Sequence, residues 1–231
     1  MKIGIIFAMK EEIDELLKYI NLEKTNSIYD LDFYEGSISN TKCILVESGV
    51  GKVNAARCTQ VLIDNYNVDY VFNIGVAGSV SDKVSICDIV VASELVQHDF
   101  DITAFNHEKG YIPKIGVYIK CNKELNKLAN KIDIKNTNIH NGVIASGDIF
   151  CSEYKMGEKI HNKFNALCVE MEGASIAQVC YLCKVPFLVI RSISDSPYQK
   201  NNKLTYDEFL IKSSKIVAKF LNNLIIKMEE K

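Results

Sequence analysis

Short apolar runs alternate with stretches of helical spacing along the whole chain. Residues 2–8 form a nearly continuous apolar run, as expected of a strand that is covered on both faces. Residues 9–20 then switch to helical periodicity, with the apolar side chains on one stripe. The same alternation recurs to the end of the chain. It predicts an α/β fold with a largely parallel central sheet.

The other predicted elements follow from the same patterns. Further strands are expected at residues 31–37, 42–48, 70–74, 88–96, 141–146, 166–169 and 186–190. Further helices are expected at about 52–65, at 125–132, in a mixed stretch ending near 161, at 174–183 and at 206–228. Residues 98–113 are expected to form a long loop, and such loops in compact domains are often functional. No repeat or linker divides the sequence, so residues 1–231 are expected to form one domain.

The composition is that of an ordinary globular protein, and it argues against several kinds of partner. Of the 231 residues, 48% are hydrophobic and 24% are charged, and the formal net charge is −2. A near-neutral chain is poorly suited to nucleic acid or to an anionic membrane. No apolar stretch approaches the ~20 residues of a membrane span. The first residues lack the pattern of a signal peptide, and we therefore expect a cytoplasmic protein.

The cysteines and histidines show no arrangement typical of a metal site. Eight cysteines are scattered through the apolar runs, and we expect them to be reduced and mostly buried. Cys180 and Cys183 form a CxxC pattern, but it lies in an apolar helical run without a second ligand pair, which favours a place in the core. The four histidines lack metal-ligand spacing as well, so no metal is predicted.

Carboxylates occur where predicted strands end. Glu170 and Glu172 lie between a strand and an almost uncharged helical run, where burying a charge is costly unless it is hydrogen-bonded or functional. Glu12 lies at the margin of the apolar stripe in the first helical turn, from which it can reach back over the first strand. Asp195 follows the last predicted strand. Because open α/β sheets bind ligands at the carboxyl ends of their strands, we expect Glu12, Glu172 and Asp195 to converge there.

Structural explanations remain open for several of these residues. An acid in a first helical turn also interacts favourably with the helix dipole, and this explanation fits Glu11 as well as Glu12. Arg191 is expected to join these acids and could hold a carboxylate by paired hydrogen bonds, while a structural ion pair with Glu12 or Glu172 is the alternative. Residues 75–79, with the sequence Gly-Val-Ala-Gly-Ser, either leave room for a ligand or form a tight turn.

Several carboxylates around a cleft without a metal suggest acid–base chemistry on a neutral, hydroxyl-rich substrate. Cleavage of a glycosidic bond is the corresponding reaction class, because one carboxylic acid protonates the leaving group and one carboxylate activates water. Acyl-transfer hydrolysis is not supported, since the chain has no nucleophile elbow and no Ser/His/Asp order.

A series of short motifs identifies a resemblance that covers the chain essentially end to end. They lie at residues 3–6, 8–9, 11–12, 48–53, 73–78, 98–99, 101–105, 146–148 with 150, 169–172 and 191–195. In order and spacing they resemble the motifs of the bacterial 5′-methylthioadenosine/S-adenosylhomocysteine nucleosidase family, within the nucleoside phosphorylase superfamily. The resemblance implies a single-domain three-layer α/β/α sandwich around a mixed, largely parallel central sheet.

The resemblance also implies an activity and a set of site residues. The reaction is irreversible hydrolysis of the N-glycosidic bond of 5′-methylthioadenosine or S-adenosylhomocysteine, and also of 5′-deoxyadenosine, without a cofactor. Asp195 would be the general acid toward N7 of adenine, and Glu12 the general base for water, with Arg191 holding the water or that carboxylate. Glu172 would bind the ribose hydroxyls. The other implied positions are Met171 at the sugar, Phe150 and Cys151 at adenine, Ser194 beside Asp195, and Ala8, Met9, Val50, Val76, Ala77, Gly78 and Tyr206 around the ligand.

In the family the site is completed by a second subunit, so a homodimer is expected. Ile102, Phe105 and Pro113 of one subunit would cover the 5′-alkylthio group bound by the other. Two departures concern this tail pocket, because Val76 stands where many relatives carry serine and Tyr206 stands where phenylalanine is usual. His107 also replaces an aromatic residue seen in some relatives.

Three alternative functions remain open on the sequence. An aminodeoxyfutalosine hydrolase would act on the same adenine. A purine nucleoside phosphorylase needs a cluster of cationic and amide donors for phosphate, and Arg191 alone is a thin supply. A non-catalytic nucleoside sensor would not need both Glu12 and Asp195.

Overall fold

A mixed ten-stranded sheet forms the centre of the computed structural model, which describes residues 1–196 and 206–230, with the backbone alone at 206 and 207. The strands are β1 (Lys2–Phe7), β2 (Asn21–Ile28), β3 (Leu31–Ile38), β4 (Thr41–Glu47), β5 (Tyr70–Ser79), β6 (Ile89–Gln97), β7 (Ile119–Lys120), β8 (Ile139–Ser146), β9 (Ala166–Glu170) and β10 (Phe187–Asp195). The helices are α1 (Lys10–Leu16), α2 (Lys52–Tyr66), α3 (Lys123–Ala129), α4 (Tyr154–Phe164), α5 (Gly173–Cys183) and α6 (Tyr206–Glu229).

The sheet closes on itself at one end. Strand β10 pairs in parallel with β5 and in antiparallel with β6, and β6, β8 and β9 lead back to β5. These five strands therefore form a ring that resembles a barrel. Strands β1, β4, β3 and β2 extend from β5 as an open sheet, whose exposed edge is β2.

Two groups of helices flank the sheet and cover its core. Helix α2 packs against α5, whereas α1 and α3 pack against α6, and both α5 and α6 contact β5 and β10. Helix α5 carries no charged side chain, and its first residues are buried. The hydrophobic effect acts on this apolar material as the main stabilising term of the fold. The fold class predicted from the sequence, a single α/β domain with helices around a mixed sheet, is confirmed.

Most predicted elements agree with the structure, and the differences have simple physical causes. Strands β2 and β7 were not predicted, because β2 is polar and exposed, with no alternation to detect, and β7 has only two residues. Residues 75–79 form no turn, since β5 continues through Ser79. Strand β10 likewise continues to Asp195. The long loop at 98–113 has only a short 3-10 turn, Thr103–Phe105, as regular structure among its residues. Within the described residues, no helix combines the length and apolar character needed to cross a bilayer.

Candidate active site

A pocket lies where the carboxyl ends of β1, β5, β9 and β10 meet. Strands β1 and β10 run parallel to β5, so Glu12 and Asp195 arrive at the same edge of the sheet. Strand β9 is antiparallel to β5 and pairs with it only at Gly78 and Ser79. It therefore brings Glu172 to the pocket from the opposite direction. The three acids converge as expected, although for Glu172 the route is not the parallel one that the sequence suggested.

Thirteen of the residues implied by the resemblance line this pocket. They are Ala8, Met9, Glu12, Val50, Val76, Ala77, Gly78, Phe150, Cys151, Met171, Glu172, Ser194 and Asp195. Three further lining residues, Ile149, Val169 and Glu170, were not assigned to the site from the sequence, although Glu170 was noted as a carboxylate at the end of a strand. Val169 and Glu170 belong to the motif at residues 169–172, and Ile149 lies between the motif residues at 148 and 150, and these positions are the signal that would have assigned them to the site.

Backbone amides hold the carboxylate of Glu12 on both sides. Oε2 accepts hydrogen bonds from the N–H groups of Ala8, at 3.0 Å, and Met9, at 3.2 Å, as the third-residue acid of a helix N-terminal capping box does. Oε1 accepts from the N–H of Val76 at 2.9 Å. Burial raises the pKa of Glu12, whereas the charge of Arg191 and these three amides oppose the rise. The carboxylate is thus fixed between the ends of β1 and β5.

Asp195 has a different environment, with a single hydrogen-bond donor among the residues that the structure describes. The Ser194 hydroxyl donates to its Oδ1 at 2.8 Å. Burial raises the pKa of Asp195, and the Ser194 hydrogen bond only partly opposes this. A raised pKa favours a carboxyl group that carries a proton nearer to neutral pH. The neighbouring Gly78 leaves room for the group, because a Cβ there would lie 2.8 Å from Oδ2 of Asp195.

Glu172 lies at the start of α5 and faces the glycine turn before α2. Its Oε1 accepts a hydrogen bond from the N–H of Gly51 at 2.9 Å. Gly51 has a positive φ of 100°, a conformation that a residue with a Cβ rarely adopts. Burial, and then the nearby charge of Glu170, raise the pKa of Glu172 to about 7. This carboxyl group therefore titrates near neutral pH.

Arg191 lies beneath the pocket and does not line it. Its Nη2 donates to Oε2 of Glu170 and to Oδ1 of Asn73, both at 2.5 Å. Burial lowers its pKa, but the charges of Glu170, Glu172 and Glu12 outweigh that effect and raise it. The expectation of an ion pair with Glu12 or Glu172 was wrong about the partner, because the tertiary fold places Glu170 nearest to the guanidinium.

The mouth of the pocket is apolar and supported by an ion pair. Phe150 is 60% exposed and Val50 is 47% exposed. Behind them, Asp99 accepts hydrogen bonds from Lys52 Nζ, at 2.7 Å, and from the N–H of Asp148, at 2.9 Å. Burial raises the pKa of Asp99, but these hydrogen bonds outweigh it and hold the pKa below its usual range. Asp148 in turn accepts from the N–H of Lys52, so the segment that carries Phe150 is fixed to the start of α2.

The other expected residues lie outside this pocket or outside the description. The side chain of Tyr206 is not among the described parts of the chain. Ile102, Phe105 and Pro113 do not line the pocket of their own chain, and Phe105 is 75% exposed. Their contact with the pocket of a second subunit stays a prediction. All eight cysteines are free, and the described residues contain no cluster that could hold a metal ion.

Comparison with known proteins places this geometry in a family. The phosphorylase superfamily matches residues 2–226. A 5′-methylthioadenosine/S-adenosylhomocysteine nucleosidase of Glaesserella parasuis serovar 5 is 42% identical over 229 residues, which are 96% of this chain and 99% of the relative.

Two solved structures from Helicobacter pylori have the same fold. One is a mutant 5′-methylthioadenosine/S-adenosylhomocysteine nucleosidase with 5′-methylthioadenosine in its active site, at 39% identity and a TM-score of 0.91. The other is a futalosine hydrolase, at 38% identity and a TM-score of 0.91. Each match covers 98% of this chain and 98% of the other. This chain belongs to the phosphorylase superfamily and, within it, to the family of the 5′-methylthioadenosine/S-adenosylhomocysteine nucleosidases.

Proposed function

We propose that this protein hydrolyses the N-glycosidic bond of 5′-methylthioadenosine and S-adenosylhomocysteine, releasing adenine and the 5-thioribose product. One observation carries the proposal. Two carboxyl groups in different environments line the same pocket: Glu12, which is buried and has three amide donors, and Asp195, which is half-buried and has one hydroxyl donor among the described residues. Paired acids with different environments are the usual means of separating a general acid from a general base.

In the proposed reaction, Asp195 delivers a proton toward N7 of adenine and makes the base a better leaving group. Positive charge then grows on the ribose, and the carboxylates of Glu12 and Glu172 stabilise it electrostatically. Glu12 accepts a proton from the attacking water. Its three amide hydrogen bonds favour the ionised form, against the effect of burial, and fix the carboxylate in position for this role.

The substrate is bound by groups of three kinds. Glu172 holds the ribose hydroxyls, and Met171 packs on the sugar. Phe150 stacks on adenine, and backbone groups of Cys151 read the edge of the purine. The nucleosidase of Helicobacter pylori, which shares 39% identity with this chain, holds 5′-methylthioadenosine in its active site, and this supports the assignment of the ligand.

Water is the proposed acceptor of the ribosyl group, and phosphate is not. None of the described residues that line the pocket has a cationic side chain. The carboxylates of Glu12 and Glu172 would repel a phosphate ion at this position. Arg191 is the cation nearest to Glu170, and its charge is already paired there.

We also propose a homodimer, in which Ile102, Phe105 and Pro113 of each subunit cover the tail end of the other subunit's pocket. The exposed apolar side chains at the mouth, Val50 and Phe150, support a covering partner. The eight free cysteines fit a reducing compartment such as the cytoplasm.

The test is product analysis with and without phosphate. The purified protein is incubated with 5′-methylthioadenosine in phosphate-free buffer, and the products are separated by chromatography. We expect adenine and free 5-methylthioribose at a rate that added phosphate does not change. A phosphorylated sugar product, or an absolute need for phosphate, would assign the chain to phosphorolysis instead. Intact nucleoside after long incubation would indicate a sensor.

A second candidate substrate is aminodeoxyfutalosine, which carries the same adenine. The similarity to a futalosine hydrolase, at 38% identity over nearly the whole chain, is the observation that favours it. Comparison of kcat/KM for aminodeoxyfutalosine and 5′-methylthioadenosine under identical conditions ranks the two substrates.

A further inference from the structure

Glu170 has no part in the proposed chemistry, although it lines the pocket beside Glu172. Only 3% of its side chain is exposed, and the carboxylate makes four hydrogen bonds within the protein. We infer that Glu170 is a positioning residue, which fixes the orientation of Glu172 and holds the charge of Arg191 away from the reacting carboxylates. The inference rests on the proposed function, because it takes Glu172 as the group that binds the ribose.

The first contribution of Glu170 is to hold the backbone at the start of α5. Its Oε2 accepts hydrogen bonds from the N–H groups of Gly173, at 2.7 Å, and Glu172, at 3.1 Å. The next backbone N–H group, that of Ala174, donates to the Ser146 hydroxyl at 2.7 Å. The same hydroxyl donates to Oε1 of Glu170. Two side chains from neighbouring strands thus satisfy three successive amides of the helix start. The backbone of Glu172 is thereby fixed, and its carboxylate is directed at Gly51.

The second contribution is a chain of buried hydrogen bonds beneath the pocket. Glu170 on β9 binds Arg191 on β10, and Arg191 binds Asn73 on β5. The Asn73 amide donates to the carbonyl oxygen of Ile6 on β1 at 3.0 Å. These strands carry or precede Glu12, Glu172 and Asp195. The chain of bonds therefore fixes the relative positions of the three acids.

The third contribution is electrostatic. The ionisable groups that interact with Glu170 are Arg191 on β10, Glu172 before α5, His98 after β6 and Cys168 on β9, and Arg191 also interacts with Glu12 on α1. Burial lowers the pKa of His98 and raises that of Cys168, so both are neutral near pH 7. Arg191 is therefore the cation that Glu170 balances within this group. Without the Glu170 charge, Arg191 would interact more strongly with Glu172 and Glu12, and would lower the pKa of both.

The test compares Glu170→Gln with the wild type and with a matched control. Glutamine keeps the shape and one accepting oxygen but removes the charge. The control is Asp88→Asn, because Asp88 is also a buried acid that accepts backbone amides, from Ser85 and Asn138, and pairs with His140 away from the pocket. For each protein we would measure kcat and KM for 5′-methylthioadenosine, the inhibition constant of adenine, the pH profile of kcat/KM, and Tm.

For Glu170→Gln we expect KM for the nucleoside to rise about tenfold or more, the effect of one weakened hydrogen bond to a charged group. The inhibition constant of adenine should stay within about twofold, because adenine does not reach Glu172. The acid limb of the pH profile should move to lower pH. Loss of the Glu170 charge removes a repulsion from Glu172 and strengthens the attraction between Glu172 and Arg191, and both effects lower the pKa of Glu172. Asp88→Asn should lower Tm but should change neither the KM for the nucleoside nor the acid limb of the pH profile.

A second variant, Ser146→Ala, separates orientation from charge. It removes the hydroxyl that binds Glu170 but leaves every charge in place. We expect a smaller rise in KM, with the acid limb of the profile unchanged.

If the wild-type protein releases adenine, three results for Glu170→Gln would overturn the inference. They are a wild-type KM in Glu170→Gln, an equal loss of nucleoside and adenine binding in that variant, and an acid limb that does not move. A wild-type KM in Ser146→Ala would also contradict it. Failure of the wild-type protein to release adenine would instead refute the proposed function.

Discussion

Gly75 offers a direct test of how closely Glu12 must be held. A Cβ added at this position would lie 2.5 Å from Oε1 of Glu12 and 3.0 Å from its Cδ. Ordinary contact begins at 3.4 Å, so in Gly75→Ala the carboxylate has to move by about 1 Å. The end of a glutamate side chain moves easily, and the fold should persist. The hydrogen bond from the N–H of Val76 to the same oxygen, at 2.9 Å, would be lost.

The expected cost falls on catalysis. A misplacement of about 1 Å at a reacting group reduces the rate about 10²-fold. The lost hydrogen bond to a charged group is worth about 1.5–3 kcal/mol, which corresponds to a similar factor. We therefore expect kcat/KM for 5′-methylthioadenosine to fall about 10²-fold in Gly75→Ala. The loss should be mainly in kcat, because Glu12 acts on water and does not bind the nucleoside.

The matched control is Gly4→Ala. A Cβ at Gly4 would lie 2.5 Å from Cδ2 of Leu62, the same overlap in the core between β1 and α2. Such overpacking costs about 1–3 kcal/mol of folding stability. Gly4→Ala should therefore lower Tm and leave kcat/KM of the folded protein unchanged. Steady-state adenine release and thermal unfolding measure the two quantities. Wild-type kcat/KM in Gly75→Ala, or an equal loss of activity in both variants, would refute the reasoning.

Three further predictions concern single residues. In Glu172→Gln the thermal stability relative to wild type should rise between pH 5 and pH 8. The folded wild type keeps the Glu172 proton up to about pH 7, whereas the unfolded chain loses it near 4.5. A Tm difference that is constant with pH would contradict this. In Asp99→Asn, Tm should fall at pH 7, and the difference from wild type should shrink as the pH falls below 3.8, because a lowered pKa stabilises only while the group is ionised; a Tm difference that does not shrink below that pH would refute it. In Phe150→Ala, loss of stacking at about 1–3 kcal/mol should weaken adenine inhibition about tenfold or more, and unchanged inhibition would exclude Phe150 from the adenine site.

The position of Glu12 could be predicted from the sequence because it depends on local periodicity. Its place at the margin of the apolar stripe of α1 left it near the end of β1, and the structure buries it there. The same holds for the long apolar runs of β1, β5 and β10, which predict strands without further information. These signals are local, and a single sequence carries them.

Residues 75–79 could not be assigned in this way. Two glycines near the end of an apolar run are typical of a turn or of a close approach, and the sequence does not separate the two. In the structure the strand continues, and the missing side chains make room for Glu12 at Gly75 and for Asp195 at Gly78. Both acids come from distant parts of the chain, so the reason for the glycines is tertiary.

The partner of Arg191 was also beyond local reasoning. The choice among Glu12, Glu170 and Glu172 depends on how β9 and β10 are placed around β5. Strand β9 is antiparallel to β5, and the predicted mixed, largely parallel sheet did not specify which strands are antiparallel. Glu170 was noted in the sequence as a carboxylate at a strand end, but no role was assigned to it. The fold places this residue against the guanidinium of Arg191.

The central claim is that Asp195 acts as the acid in a hydrolysis that needs no phosphate. The most direct measurement is adenine release from 5′-methylthioadenosine in phosphate-free buffer, with Asp195→Asn beside the wild type. We predict rapid release by the wild type and a loss of about 10²–10⁴-fold in the variant, the usual contribution of a general acid. Release that requires phosphate, or full activity in Asp195→Asn, would contradict the account.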